Sequence, residues 1–243
     1  MPKATFHNLS AEKRARIIDA ALDEFAIHPL QSASVNRVVK AAGIAKGSFY
    51  QYFDGLEDLY RYLVFDHGAE LKMAAFKQAG PPPEGDLFDS LAWYGQQGLR
   101  WGLENPRLAA AAAHVRGTTV HPSMAPLARE VMLRSRAGLK HLLAEGQAKG
   151  AVRADLDLDA AVVLADVVFR HGFDEVFQAR FGVDMLKLCA EPGSVGPFTD
   201  DDLAGAVHAV IDMLRRGLGT QQPAPESGRL DLDGMAERFK AVE

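Results

Sequence analysis

The chain has 243 residues, of which 48% are apolar and 24% charged, values that are ordinary for a globular protein with a sizeable core and one or two domains. No apolar run is long enough to span a membrane, and the first seven residues lack the apolar region of a secretory signal. Cys189 is the single cysteine, which excludes an internal disulfide and a cysteine-based zinc site. We therefore expect a soluble cytoplasmic protein.

The net charge of −5 is distributed unevenly along the chain. Residues 1–62 carry eight Lys and Arg against seven Asp and Glu, a net charge of +1, and the remainder carries nineteen against twenty-five, a net charge of −6. The acidic excess lies outside the N-terminal segment. A local basic face that pairs with phosphates at short range is therefore compatible with the composition.

Hydrophobic periodicity predicts three helices in the N-terminal segment. The first covers about residues 10–26, with Ser10 as its N-cap. The second is expected to have Ser34 as its cap and to stop at Gly43, where a left-handed residue is needed. The third covers about residues 45–52. A short helix, a tight glycine turn and a further short helix form a helix-turn-helix.

The third predicted helix divides its side chains into two groups. Phe49 and Phe53 are four positions apart, so they share a face that can be buried. Four other side chains point elsewhere and can form hydrogen bonds: Lys46, Ser48, Tyr50 and Gln51. A short helix with one apolar face and one row of hydrogen-bonding side chains is suited to the major groove of DNA.

The remainder of the chain is predicted to be helical. A long helix covers about residues 56–78, and the Gly/Pro-rich residues 80–85 interrupt the chain after it. Further helices are expected at residues 86–103, 106–117, 122–150, 157–181 and 199–218. Residues 191–198 are expected to form a loop, and residues 235–242 can form a short terminal helix. No strand and no internal repeat is apparent, so the predicted fold class is all-α.

Residues 41–53, with the sequence AAGIAKGSFYQYF, closely resemble the DNA-binding domain of the TetR/AcrR family of transcriptional regulators. The resemblance extends back to residues 16–25 and covers roughly residues 10–64. Residues 150–157, with the sequence GAVRADLD, are also similar to the family's usual lead-in to its eighth helix.

The resemblance implies a homodimer of all-α subunits with nine to ten helices. It implies a three-helix, helix-turn-helix DNA-binding domain at residues 1–55, a helical effector-binding and dimerisation domain at residues 56–218, and a C-terminal tail at residues 219–243. The implied partners are a palindromic double-stranded DNA operator, a small-molecule effector and a second copy of the chain, with neither a membrane nor a cofactor. Most members are repressors that release DNA when the effector changes the separation of the two recognition helices.

Candidate DNA-binding residues follow from helix position and from the resemblance. Gln51 can pair with adenine through two hydrogen bonds, and Ser48 is a permissive base contact. Lys46 suits a phosphate or a guanine, Gly47 allows close approach, and Ser34 can bind a phosphate or only cap its helix. The full set is Ser34, Asn36, Arg37, Lys46, Gly47, Ser48, Tyr50, Gln51 and Tyr52.

The segment after the recognition helix departs from the family pattern. Leu56 stands where the family often has a lysine that anchors a phosphate. Asp54, Glu57 and Asp58 form an acidic corner beside it, which we expect to weaken DNA contact. Lys3 and His7, ahead of the first predicted helix, are candidates for compensation.

The candidate effector residues lie on predicted helices of the second domain. Trp93, Gln97 and Trp101 recur every four residues and share one helix face. This face can line a cavity for a flat or lipophilic ligand, and it can equally be ordinary core. Further lining candidates are His114, Met124, Met132, Phe169 and Phe173.

Dimerisation is predicted to use the last two long helices, because in the family the corresponding pair packs against its twofold mate as a four-helix bundle. The apolar residues at helical spacing in these helices either form that interface or are buried within the subunit. They are Phe169, Phe173, Val176, Phe177, Val207, Val210, Ile211 and Leu214.

Two other classes of function compete with a DNA-binding regulator. An enzyme is disfavoured because the sequence has no convincing metal-ligand spacing, nucleophile motif or glycine-rich phosphate loop. A helical regulator that has lost DNA binding and acts through protein contacts is supported only by Leu56 and the acidic corner. The sequence therefore predicts a ligand-responsive homodimeric repressor, in which the long helix at residues 56–78 transmits the signal because it belongs to both domains.

Overall fold

The computed structural model describes residues 2–116, 120, 122–182 and 198–220. Within these residues the regular secondary structure is helical, apart from one isolated antiparallel bridge between Val152 and Gly219. The predicted all-α fold is confirmed. The terminal helix predicted at residues 235–242, and all but the last residue of the loop predicted at 191–198, lie outside the described residues.

The N-terminal half begins with four helices and continues into a long connecting helix. The four are α1 (Ala4–His7), α2 (Ala11–Ile27), α3 (Val35–Ala42) and α4 (Lys46–Tyr52). The connecting helix consists of α5 (Leu56–Arg61), a π-helical segment (Tyr62–His67) and α6 (Gly68–Ala79), which follow one another without a break. The long helix predicted at residues 56–78 is therefore confirmed, whereas α1 and the π-helical segment have no counterpart in the sequence prediction.

The remaining helices follow the predicted boundaries closely. They are α7 (Leu87–Glu104), α8 (Pro106–Arg116), α9 (Ala125–Ala148), α10 (Leu158–Val167), α11 (Phe173–Phe181) and α12 (Asp200–Leu218). A short 3-10 turn (Pro122–Met124) precedes α9, and a second π-helical segment (Val168–Gly172) joins α10 to α11. None of the described helices is both long and apolar enough to cross a lipid bilayer.

Capping groups explain where the N-terminal helices begin and end. The Ser10 hydroxyl accepts a hydrogen bond from the Lys13 N–H at 3.3 Å, and Gly43 ends α3 with φ +64°, both as predicted. Ser34 differs, because within residues 2–116 its side chain makes no capping hydrogen bond. Its N–H instead donates to Glu24 Oε1 at 2.7 Å. Ser34 therefore occupies the predicted N-cap position of α3, but within these residues its side chain does not make the capping hydrogen bond.

The core consists of two hydrophobic clusters. The N-terminal cluster contains α1 to α5 and is completed by residues from α8, the 3-10 turn and the start of α9: Leu108, Ala111, Val115, Met124 and Leu127. The second cluster joins α7, α9, α10, α11 and α12. Because α8 contributes to the same core as the N-terminal helices, it fastens the C-terminal helices to them.

Polar contacts reinforce this attachment of α8. The Tyr60 hydroxyl donates to the Ala111 carbonyl at 2.6 Å. Arg107 lies 2.7 Å from Asp19 and 2.6 Å from Asp23, both on α2. These ion pairs are largely exposed, so we assign them orientation of α8 on α2 rather than much stability.

The apolar residues predicted to form either the dimer interface or the core are buried within the subunit. Six of them are no more than 8% exposed: Phe173, Phe177, Val207, Val210, Ile211 and Leu214. Phe169 and Val176 pack against the same cluster. Burial within the subunit, one of the two predicted alternatives, therefore holds for the six buried side chains, whereas Phe169 and Val176 are only partly buried.

Candidate nucleic-acid interface

The helix α4 buries one face and exposes the other, as its residue spacing predicts. Phe49 and Phe53 are fully buried, with ring centroids 5.6 Å apart. The two phenylalanines therefore hold α4 on the domain while its polar row faces solvent. In that row Lys46, Gly47, Tyr50 and Gln51 are exposed and Ser48 is half-buried.

Tyr52 lies on the buried side of α4 rather than among the outer residues. Its side chain is 5% exposed, its ring lies 6.3 Å from that of Phe6, and Lys13 Nζ lies 5.6 Å from the ring centre. The family resemblance places this residue among the DNA contacts. Its burial leaves little of the side chain for a phosphate, so in this chain Tyr52 is mainly a core residue.

The start of α3 contributes Ser34, Asn36 and Arg37. Arg37 uses Nε and Nη2 to bind the Glu24 carboxylate at 2.8 and 2.6 Å, and Nη2 also donates to the Ser32 carbonyl. Arg37 is thus engaged within the protein, although part of it remains exposed. Asn36 is exposed, and the half-buried Ser34 hydroxyl is not used as a cap within the described N-terminal segment.

Glu24, on α2, binds both Ser34 and Arg37 at the start of α3. Burial by itself would raise the pKa of its carboxyl group, but the hydrogen bonds from Arg37 and from the Ser34 N–H outweigh burial and leave the pKa lowered. Glu24 therefore remains a carboxylate at neutral pH. Sequence reasoning missed this residue because its charge on an amphipathic helix gave no sign that it was buried.

The acidic corner is partly neutralised by the N-terminal arm. Lys3 Nζ lies 2.7 Å from Asp54 Oδ1, and this contact lowers the pKa of Asp54. From sequence, Lys3 is a candidate phosphate anchor that compensates for Leu56. Because its ammonium group is already paired with Asp54, the structure assigns it an internal contact instead.

The candidate effector residues are distributed over both hydrophobic clusters. Trp101 and the fully buried Met124 belong with the N-terminal cluster. Phe169 and Phe173 contact each other, with ring centroids 5.5 Å apart, in the second cluster. The structure does not gather all eight predicted residues around one described cavity. The remaining four are half-buried on α7, α8 and α9: Trp93, Gln97, His114 and Met132.

Three polar side-chain atoms on α7, α8 and α9 are buried with no hydrogen-bond partner among the described residues. They are the Tyr94 hydroxyl on α7, Nε2 of His114 on α8 and Nε of Arg134 on α9. Burial raises the pKa of Tyr94 to about 12. Burial also lowers the pKa of His114, against the opposing effect of its hydrogen bond to the Phe25 backbone. Buried polar atoms without partners are unusual and are suited to contact a ligand; sequence reasoning included His114 but not Tyr94.

A separate groove of about 410 Å³ lies beside α2 and the first π-helical segment. Its lining comprises Ala15, Arg16, Ile18, Asp19, Leu22 and His67. In the described part of the chain, this lining contains none of the candidate effector residues. The groove is thus distinct from the region predicted to hold the effector.

Comparison with known proteins decides the family. A family model described as "Bacterial regulatory proteins, tetR family" matches residues 17–63, which extend from within α2 into the first π-helical segment. A TetR family transcriptional regulator of known structure from Chloroflexus aurantiacus J-10-FL is 38% identical, with a TM-score of 0.70 over 91% of this chain and 100% of that one. The chain belongs to the TetR family of transcriptional regulators.

More distant relatives include two proteins named as regulators of transcription and one regulator that shares the fold. The chain is 34% identical over 61 residues to the uncharacterized HTH-type regulator YdgC of Bacillus subtilis, a match that spans 25% of this chain and only 31% of YdgC. It is 23% identical to the probable acrEF/envCD operon repressor of Escherichia coli K12 over 72% of this chain and 80% of that repressor. The regulator FadR of Bacillus subtilis, solved in complex with stearoyl-CoA, shares the fold at 19% identity and a TM-score of 0.58, over 84% of this chain and 98% of FadR.

Proposed function

We propose that this TetR-family regulator is a homodimeric repressor that binds a palindromic operator through α4 and releases it when a small lipophilic effector binds. The observation that carries the proposal is the outer face of α4, and in particular Gly47. Glycine weakens a helix by roughly 0.5–1 kcal/mol relative to alanine. Among the described residues, a Cβ atom at Gly47 would meet nothing within 4 Å, so packing inside the subunit does not require a glycine there.

A closely approaching DNA backbone or base edge supplies the missing reason for Gly47. The exposed side chains around it have the chemistry of groove contacts, with an amide in Gln51 and an ammonium group in Lys46. Arg37 and Tyr52 support this face from within the domain, through Glu24 and the core respectively. The proposed DNA-binding face consists of Ser34, Asn36, Lys46, Gly47, Ser48, Tyr50 and Gln51.

A second copy of the chain is required by this mode of binding. The N-terminal segment carries a net charge of only +1, which gives one copy weak attraction for DNA, and two recognition helices reading a palindrome need twofold symmetry. Exposed apolar side chains on α10 and α12 support an interface there. They are Val163, Leu164, Val167 and Met213, with Leu164 63% and Met213 77% exposed. We propose that these residues pack against their twofold mates.

The proposed effector site lies among α7, α8 and α9. The Trp93 ring lies 6.1 Å from that of Phe76 and 4.9 Å from that of Tyr94, which gives the region an aromatic character. The buried Tyr94 hydroxyl and His114 Nε2 are the proposed polar contacts. FadR of Bacillus subtilis binds stearoyl-CoA with the same fold, and a lipophilic effector for this chain is our proposal from the aromatic surroundings. Gln97, Trp101, Met132 and the other predicted lining residues stay predictions.

The signal is proposed to reach α4 by two routes. The connecting helix is the predicted route between the two regions, and α8 offers a second one through the contacts of Tyr60 with Ala111 and of Arg107 with Asp19. An effector can move these helices only if it binds the DNA-free arrangement more tightly than the DNA-bound one. The family is one of regulators, so we infer that the chain is not an enzyme and that it acts in the cytoplasm, where the DNA is.

A mobility-shift assay with the intergenic DNA upstream of the protein's own gene tests the proposal. We expect the wild type to retard a palindromic fragment at moderate salt. Gln51→Ala should still bind, but its discrimination against the wrong base should fall by about 1–3 kcal/mol at one base pair in each half-site. Failure of every palindromic fragment to bind would favour the alternative, a regulator that acts through protein contacts. The pairing of Asp54 with Lys3 removes part of the support for that alternative.

A further inference from the structure

The C-terminal end of α4 has no local capping structure of the usual kind. The last four carbonyl groups of a helix lack intrahelical partners, and a left-handed glycine often supplies the turn that satisfies them. Here α4 is followed by Phe53 in an extended conformation, with φ −135° and ψ 150°. The Phe53 N–H donates to the Phe49 carbonyl at 2.9 Å, which leaves the carbonyls of Tyr50, Gln51 and Tyr52 to be satisfied.

Two residues of the N-terminal arm satisfy all three of these carbonyls. The Lys3 N–H donates to the Tyr52 carbonyl at 2.9 Å, and Lys3 Nζ donates to the Tyr50 carbonyl at 3.0 Å. The Thr5 hydroxyl donates to the Gln51 carbonyl. A segment more than forty residues away in sequence thus closes the end of the helix that carries the DNA-binding face.

The arm is itself fixed at both sides of these hydrogen bonds. Phe6 is fully buried, with its ring 4.8 Å from that of Phe53 and 5.3 Å from that of Tyr62. Asp54 holds the Lys3 ammonium group at 2.7 Å. A positive charge at the C-terminal end of a helix also interacts favourably with the helix dipole. The arm therefore meets the requirements of a cap in position, hydrogen bonding and charge.

We propose that Lys3 and Thr5 are positioning residues for DNA recognition, which act as a remote cap that holds the C-terminal half of α4, with Tyr50 and Gln51, at the angle the groove requires. This inference rests on the proposed binding of DNA through α4. It assigns Lys3 a role different from a phosphate contact, and it gives Asp54 the role of orienting Lys3 rather than of merely repelling DNA.

Operator affinity measured as a function of salt separates positioning from phosphate binding. Lys3→Met keeps the backbone donor and removes the ammonium group, Thr5→Val removes the hydroxyl at nearly constant shape, and Lys3→Arg and Thr5→Ser restore the donors. Lys149→Met, which removes an exposed lysine at the C-terminal end of α9, is the matched control for the loss of one charge. Fluorescence anisotropy with the operator fragment that binds the wild type gives affinity and salt dependence together.

We expect Lys3→Met and Thr5→Val each to weaken operator binding, by roughly tenfold for Lys3→Met. The slope of log K against log salt should stay that of the wild type, and Lys3→Arg and Thr5→Ser should restore affinity. If Lys3 binds a phosphate directly, Lys3→Met should instead reduce the magnitude of that slope by about 0.9 per phosphate and Thr5→Val should have no effect. That result would overturn the inference, and so would variants that bind like the wild type.

Hydrogen–deuterium exchange without DNA gives an independent test that does not depend on the operator. Amides of residues 46–53 should exchange several-fold faster in Lys3→Met and Thr5→Val, whereas those of α12 should be unchanged. Equal exchange in wild type and variants contradicts a capping role. If the wild type binds no operator, the proposed function fails. If the wild type and the Lys3 and Thr5 variants bind the operator equally well, only the remote cap is contradicted.

Discussion

Glu24 and Arg37 join α2 to the start of α3 through a buried carboxylate. Arg37 donates from two nitrogens, with Nη2 2.6 Å from Glu24 Oε1, while Glu24 itself is only 6% exposed. The Ser34 N–H adds a third donor at 2.7 Å. One buried charge therefore holds the start of α3, the first helix of the helix-turn-helix, on α2.

Glu24→Gln should destabilise the protein by about 1–3 kcal/mol at neutral pH, because it removes the negative charge beside Arg37 and turns one of the two acceptor oxygens into an amide donor. The folded-state pKa of Glu24 lies below its ordinary value of 4.5, so the stabilisation is present above that value and is lost as the pH falls through the folded-state pKa. The difference between wild type and variant should therefore shrink in acid. Urea unfolding at neutral and acidic pH measures it.

Glu12→Gln is the control for this experiment, since Glu12 lies on the same helix but is largely exposed and 3.6 Å from Arg16. We expect its effect to stay below about 1 kcal/mol at either pH. Equal losses of stability from the two substitutions would show that the buried pair stabilises the fold no more than the exposed pair of Glu12 and Arg16.

The sequence was informative where structure depends on neighbours along the chain. The four-residue spacing of Phe49 and Phe53 was enough to predict the buried face of α4, and Gly43 was enough to predict the turn before it. Prediction failed where the contact comes from a distant group. Ser34 stands at the N-cap position, but within residues 2–116 its hydroxyl makes no capping hydrogen bond, and its N–H donates to Glu24, ten positions away.

The N-terminal arm and the effector region show the same limit. A helix of four residues such as α1 has too little periodicity to predict, so the burial of Phe6 became visible only in three dimensions. The spacing of Trp93, Gln97 and Trp101 predicts a shared face of α7, but it does not specify which helices cover that face. In the structure Trp101 packs against the N-terminal cluster and Phe169 against the second cluster, which the spacing alone could not predict.

Gly47→Ala should separate stability from DNA binding. Alanine adds up to about 0.5–1 kcal/mol to helix stability, and its methyl group enters open space within the described subunit. Thermal stability should therefore stay equal or rise, while operator affinity falls because the methyl group stands between α4 and the DNA. Circular dichroism and anisotropy measure the two effects on the same preparation.

Gly217→Ala supplies the comparison, because a Cβ atom at this glycine of α12 would also meet nothing within 4 Å among the described residues. It should alter stability without altering operator affinity. Undiminished DNA binding by Gly47→Ala would remove the main support for close approach at α4.

Leu164→Glu should dissociate the proposed dimer. Leu164 is 63% exposed in the single chain, and a charge at an apolar interface between two copies costs its desolvation and faces its own twofold mate. Sedimentation velocity should show a dimer for the wild type and a monomer for the variant, with operator affinity lost in parallel. Ile27→Glu, at a similarly exposed apolar position at the end of α2, should leave the dimer intact. A dimeric Leu164→Glu would place the interface elsewhere.

Two ion pairs between α9 and α10 should differ sharply in their effect on stability. Asp166 is fully buried and lies 3.0 Å from Arg136 Nε, whereas Lys140 and Asp159 pair at 2.6 Å in solvent. Arg136→Met leaves a buried carboxylate without its arginine and should cost about 3 kcal/mol. Lys140→Met should cost less than about 1 kcal/mol. Urea unfolding of both variants makes the comparison.

The double variant Arg136→Met with Asp166→Asn tests the cause of that difference. If the cost arises from losing the arginine charge beside the buried Asp166 carboxylate, neutralising Asp166 should recover part of the stability lost in Arg136→Met. If the double variant is less stable than either single variant, packing of the arginine stem is the larger contribution. Because α10 also carries Leu164, loosening of this pair should weaken dimerisation as well, and sedimentation of Arg136→Met would reveal it.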